Sequence, residues 1–159
     1  MPTDKGNVIF KDTLTEKIEA QDVREYKYIG QFKKIGFYVA SGSFWEHYEC
    51  YLISKRTGMK TTIWNNPTLS PSDNFIANLS LPYGLEGLPN GIQIWRVNQK
   101  NNAKIEKYIE LDQQIWAPIE MFWETEKAII LRVADTKKLD NENGVRKETD
   151  FYYLRLKIN

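Results

Sequence analysis

From Tyr26 onward, apolar and polar residues alternate in short runs separated by turn-forming residues. Tyr26 to Phe32, Gly36 to Ala40, Trp45 to Ser54 and Thr61 to Trp64 are rich in aromatic and β-branched side chains, and Gly30, Gly42-Ser43 and Arg56-Thr-Gly58 punctuate them. A two-residue rhythm broken by glycine is that of half-buried strands joined by tight turns. The order recurs in Phe75 to Ser80, Ile92 to Val97 and the alternating Lys104 to Leu111. It recurs again through Trp116-Ala-Pro118, Met121 to Trp123, Ala128 to Val133 and Phe151 to Ile158. Lys55-Arg-Thr-Gly58 places glycine where a hairpin needs positive φ, so its flanking strands are predicted to pair antiparallel. In Ser70-Pro-Ser-Asp-Asn74, Pro71 presets φ while Asp73 and Asn74 tolerate left-handed backbone. Residues 1–25 are polar and weakly periodic apart from Val8-Ile-Phe10 and Leu14 to Ile18, and they predict an extended lead-in with an edge strand or helical turn.

The fold class predicted is all-β, a single domain over 26–159 made of about three blade-like antiparallel units. Aligned on their second strands, Gly36 to Ala40, Phe75 to Leu79 and Ala128 to Val133, the units lie about 40 and then about 50 residues apart, a period typical of four-stranded propeller blades. Closed propellers use about four to eight blades. Three are too few, so the expectation is a sandwich, an open barrel or an assembly completed by self-association into a homodimer.

Composition narrows the picture in three ways. Aromatic residues make up 13% of the chain, with five Trp and nine Tyr, which suits pleated, half-buried surfaces. Lys and Arg total 22 against 21 Asp and Glu, so no net field draws in nucleic acid. Cys50 is the single cysteine, which excludes an intrachain disulfide and a thiolate zinc cluster and reads as an apolar filler. No apolar run has the length of a membrane span. The Met1-Pro-Thr-Asp-Lys-Gly start lacks the apolar core of a signal peptide, which leaves a cytoplasmic protein or one whose leader has been removed.

Tyr51 to Ile63, Pro67 to Leu79 and Ile92-Gln-Ile-Trp95 together resemble a TolB-type β-propeller repeat: a strand, a Thr-Gly hairpin, a Ser-Pro-Asp turn, an apolar strand and an Ile-Trp strand. Asn74 stands where the family has glycine, and Ser72 is inserted. The resemblance covers one unit well and a second, after Trp116, faintly. It implies blades that serve as scaffold and binding surface, carries no catalytic residue, and implies an envelope setting, periplasmic or secreted.

Chemistry-bearing residues are sparse. His47, the one histidine, lies near Ser41 and Ser43, but no nucleophile elbow surrounds either serine, and neighbours on a strand face opposite ways. Glu46, Glu49, Glu86, Glu120 and Glu124 supply carboxylates without a spacing that selects a glycosidase pair. The acidic stretch Asp135 to Gly144 fails the EF-hand pattern, because Leu139 falls at the first ligand position. Asn78-Leu-Ser80 matches a glycosylation sequon inside a predicted buried strand. No cofactor is called for.

The long loop Leu81 to Gly91 carries Tyr83, Leu85 and Leu88 with Asn90 at its end, and long loops on rigid β scaffolds often bind. These four residues are the predicted contact site for another protein. The function expected is therefore a non-enzymatic binding protein, an inhibitor or immunity protein being its most concrete form. The alternative is a carbohydrate-binding or carbohydrate-active module using Trp45, Trp64, Trp95, Trp116 or Trp123 as stacking platforms. Trp116 and Trp123 are assigned to core or blade-interface positions.

Overall fold

A computed structural model of the chain describes residues 1–13, 22–45, 47–81, 88–98, 104–139 and 148–159. The architecture is all-β, as predicted. Among the described residues the single α-helical segment, α1, is the short Thr136–Leu139. Two compact units divide the chain, one of Met1–Asn66 with Val97–Ile105, the other of Pro67–Arg96 with Glu106–Asn159.

In the first unit a small hairpin, β1 (Pro2–Thr3) with β2 (Gly6–Asn7), precedes a four-stranded antiparallel meander. Its strands are β3 (Arg24–Phe32), β4 (Phe37–Phe44), β5 (Tyr48–Ser54) and β6 (Lys60–Ile63), hydrogen-bonded in chain order. Gly58 takes φ 73° in the β5–β6 turn, and its N–H bonds the Ser54 carbonyl at 2.8 Å. This is the hairpin that Lys55-Arg-Thr-Gly58 predicts. Met1, Val8 and Phe10 of the lead-in pack on Ala40, Tyr51 and Ile53 and cover part of one sheet face. The lead-in is also tied by main-chain bonds, Val8 N–H to the Met1 carbonyl and Asp4 N–H to the Lys55 carbonyl, each 2.9 Å.

Glycine plays a different part here from the turn marker its position suggests. Gly42 and Ser43 lie inside β4, and the chain reverses later, between Phe44 and Tyr48. Gly30 lies inside β3, beside a register shift between Tyr28 and Gly30. Glycine within a strand marks a bulge or a close approach, and each of these positions has one of the two.

Two further sheets lie mostly in the second unit. One is the antiparallel set β7 (Thr68–Leu69), β8 (Phe75–Ser80), β9 (Gly91–Asn98) and β10 (Lys104–Asp112). The other is β11 (Trp116–Thr125), β12 (Ala128–Asp135) and β13 (Phe151–Lys157). Both again follow chain order, and the strands aligned from the sequence fall on β4, β8 and β12, each flanked by neighbours on both sides. The third set has three strands among the described residues. Its first strand is continuous where the sequence reading divides Trp116–Pro118 from Met121–Trp123. A register shift between Pro118 and Glu120 takes up the proline on an edge strand, where its missing N–H costs no ladder bond.

Alternation builds the core of this unit. Phe75 and Ala77 on β8, Ile92 and Ile94 on β9, and Ile129, Leu131 and Val133 on β12 form one buried cluster with Ile158. Trp116 and Trp123 pack against it, as assigned. Burial of each such branched side chain stabilises the fold by about 1.5–3 kcal/mol. The opposite faces of β8 and β9, with Ile76, Asn78, Gln93 and Trp95, are buried as well. Asn78 is 0% exposed, which makes its sequon inaccessible in the folded chain.

The predicted turn at Ser70 to Asn74 forms with Asp73 at φ 60°. Ser70 Oγ accepts the Phe75 N–H at 3.0 Å and donates to Glu126 Oε1 at 2.9 Å. The second oxygen of Glu126 accepts the Ser72 N–H at 2.7 Å. The carboxylate thus ties the β7–β8 turn to the β11–β12 turn.

Candidate ligand-binding cleft

In the first-unit sheet, strand register places Tyr26 of β3, Gly42 of β4 and Glu49 of β5 in one cross-strand row, with Arg24 opposite Phe44. A Cβ at Gly42 would lie 2.9 Å from Phe44 Cε2 and 3.0 Å from Tyr26 Cε1. Glycine is what lets both rings close over the strand. They meet edge to face, centroids 5.9 Å apart at 86°. Phe10 and Tyr51 extend the cluster, Phe10 lying 4.9 Å from Tyr26 and 5.4 Å from Tyr51.

After β4 the chain turns, with the Phe44 N–H bonding the His47 carbonyl at 3.0 Å. The turn stacks the His47 ring on Phe44 at 4.4 Å and 8°. Trp45 is left standing 61% exposed. A cleft of about 470 Å³ opens here, lined by Arg24, Tyr26, Glu49 and Tyr51 from the strands and by Phe44, Trp45 and His47 from the turn. Small-molecule sites span roughly 300–1,000 Å³, so the space suits a ligand of one or two rings. A smaller hollow of about 290 Å³ lies between the lead-in and the same sheet, and Tyr26 borders both.

The polar groups of the cleft are organised around one carboxylate. Tyr51 Oη donates to Glu49 Oε2 at 2.5 Å. Burial, and then this carboxylate, push the phenol well above its ordinary value, so Tyr51 remains a protonated donor at neutral pH. His47 Nε2 lies 3.8 Å from the other oxygen, Oε1. The arrangement offers an aromatic platform, a guanidinium donor and a carboxylate acceptor held by its neighbours. It is equipped to orient a ligand. Glycoside hydrolysis by the usual route needs two facing carboxylates, and Glu49 is the one carboxylate among the described lining residues.

No protein-family model matches the chain, and neither a curated protein nor a solved structure does.

Of the residues predicted to bind, the two that are described, Leu88 and Asn90, do not line this cleft. Tyr83 and Leu85 fall outside the described residues, and Leu88 is half-buried. Asn90 is 2% exposed, and its Nδ2 donates to the carbonyls of Gln113 at 2.6 Å and Trp116 at 2.9 Å. Its side chain is engaged within the fold and does not face solvent. Among the carboxylates weighed as a glycosidase pair, Glu46 and Glu86 are not described, while Glu120 and Glu124 face Arg132 at 3.9 Å and Arg155 at 2.5 Å. The acidic stretch read for calcium lies largely outside the described residues, from 140 to 147. Cys50 is buried, and burial pushes its thiol up to about 12. Of the tryptophans, Trp95 is buried and Trp64 is half-buried, and Trp45 alone among those described is exposed.

Sequence reasoning considered Trp45, His47 and Glu49 separately and did not join them to Arg24, Tyr26 and Phe44. Their signal was the glycine inside an otherwise aromatic strand. It marks a place where large rings pass over the backbone.

Proposed function

We propose that the protein is a non-enzymatic binding protein and that the Trp45 cleft takes a saccharide. The observation that carries this reading is a large, exposed indole beside a cleft with Arg24 and Glu49 at its polar positions. Sugar rings present an apolar C–H face and a rim of hydroxyls, and such a face stacks on an indole while the rim exchanges hydrogen bonds with charged groups. The envelope setting implied by the TolB-type resemblance belongs to the same proposal, since saccharide polymers are met there.

A glycan array followed by titration of intrinsic tryptophan fluorescence tests it. The expected result is saturable, sugar-dependent quenching. Trp45→Ala should remove that signal and weaken binding on the order of 30-fold, the loss typical of a central aromatic anchor, while the melting temperature stays within about 2 °C because the side chain is exposed. Silence across the panel, or unchanged affinity in Trp45→Ala, refutes the proposal.

A further inference from the structure

We infer that the free edge of β13 pairs with the same edge of a second copy, joining two three-stranded sheets into one of six strands. Among the described residues β13 is hydrogen-bonded on one side only, by β12. The Ile158 N–H bonds the Lys127 carbonyl on that side. Backbone direction alternates along a strand, so Leu156, Leu154 and Tyr152 also point their main chain inward, and Lys157, Arg155, Tyr153 and Phe151 point theirs to the open edge.

The edge is complementary to itself. Antiparallel pairing about a two-fold axis through Leu154 sets Tyr153 opposite Arg155 and Phe151 opposite Lys157 of the other copy, each pair occurring twice. These four residues are the ones whose main chain points to the open edge, and the pairing forms about eight inter-copy hydrogen bonds. Leu154 then meets Leu154 at a position that needs none. On the outer face each pair sets a cation beside an aromatic ring, an interaction this sheet already uses where Arg132 lies 4.0 Å from the Phe151 ring. On the inner face Tyr152 meets Leu156, which continues the apolar row of Leu154 and Leu156 across the junction. Tyr153 is 63% exposed as it stands, and Tyr152 is 41% exposed. A single strand pair is a small interface, so the association is expected to be weak and concentration-dependent.

The test is sedimentation of the full chain over a wide concentration range, with amide hydrogen exchange at β13. The expected result is a monomer–dimer equilibrium in which the amides of Tyr153 and Arg155 gain protection with concentration. Tyr153→Lys places a lysine opposite Arg155 twice and should weaken the dimer on the order of tenfold or more. Tyr153→Glu creates two opposite-charge pairs and should strengthen it at low salt. Both changes lie on an exposed side chain, so the monomer stays folded. A protein that remains monomeric at every concentration overturns the inference and leaves the edge to another occupant. A dimer indifferent to both Tyr153 variants, or without protection at β13, overturns it too. Trp45→Ala should leave the equilibrium unchanged, which separates this result from any failure of the saccharide reading.

Discussion

Replacing Asn90 separates a structural amide from a binding one. Its Nδ2 serves the carbonyls of Gln113 and Trp116, and its N–H donates to Asp112 Oδ1 at 2.9 Å, so the residue holds the β10–β11 corner against the start of β9. In Asn90→Ala the Trp116 carbonyl keeps a donor, Gln113 Nε2 at 2.7 Å. The Gln113 carbonyl loses its Asn90 partner. Two hydrogen bonds at about 1 kcal/mol each, with the penalty for a stranded buried acceptor, come to roughly 2–3 kcal/mol. That corresponds to a fall of about 5–10 °C in melting temperature for a chain of this size. Urea denaturation should show a lower midpoint with unchanged slope.

Asn90→Asp sharpens the test. The shape is nearly kept, but an ionised carboxylate has no proton to offer two carbonyl oxygens, so the loss at neutral pH should exceed that of the alanine variant. Burial against those oxygens raises the folded-state pKa of the introduced carboxyl above its unfolded value of about 3.9. The deficit relative to the parent is therefore full at high pH and fades as pH falls towards and below the unfolded value, where the carboxyl is protonated in both states and donates again. An alanine variant within about 0.5 kcal/mol of the parent, the range of ordinary surface changes, refutes the reasoning. So does an aspartate deficit that does not vary with pH.

Three further outcomes follow from the geometry. Gly91 has φ 152°, and a Cβ there would sit 1.9 Å from the Leu111 carbonyl oxygen, so Gly91→Ala should destabilise by about 3 kcal/mol or more in the same urea assay; a stable variant would contradict the close approach of β9 to β10. The Cys50 thiol, pushed up to about 12 by burial, should resist maleimide in native buffer and label only with denaturant, and labelling within minutes in the native state would be the contrary result. The Lys107 ammonium, bonded to Glu110 at 2.5 Å, and then the Gln93 amide, hold the Glu110 carboxyl below its ordinary value. Its stabilisation is therefore present above the unfolded pKa and lost as pH falls through the lower folded one. Solvent screening keeps it below about 0.5 kcal/mol, and Lys107→Met should flatten that part of the acid limb.

The strands were legible in the sequence because their signal is local. Phe75-Ile-Ala and Ile129-Ile-Leu131 lie between turn residues whose chemistry leaves few alternatives, and Gly58 and Asp73 take the left-handed backbone that their neighbours require. Consecutive strands then lie side by side in each sheet, and antiparallel meanders are the simple outcome. Where alternation and punctuation gave conflicting signals, the local reading misplaced a boundary. Gly42 looked like a turn because nothing nearby in sequence announces that Tyr26, sixteen residues earlier, needs the space above it.

The division follows from the range of the forces involved. Residue type and spacing settle strand, turn and the inward or outward set of each strand, all of which depend on neighbours in the chain. Which aromatic rings remain exposed depends on cross-strand register and on what covers a sheet face. Trp45 stands in solvent, while Trp95, with an equally good local pattern, is buried. The same holds for Asn90, read locally as the end of a loop available to a partner. Its amide is held inside the fold by carbonyls from Gln113 and Trp116, more than twenty residues further along the chain, and only tertiary contact brings them to it.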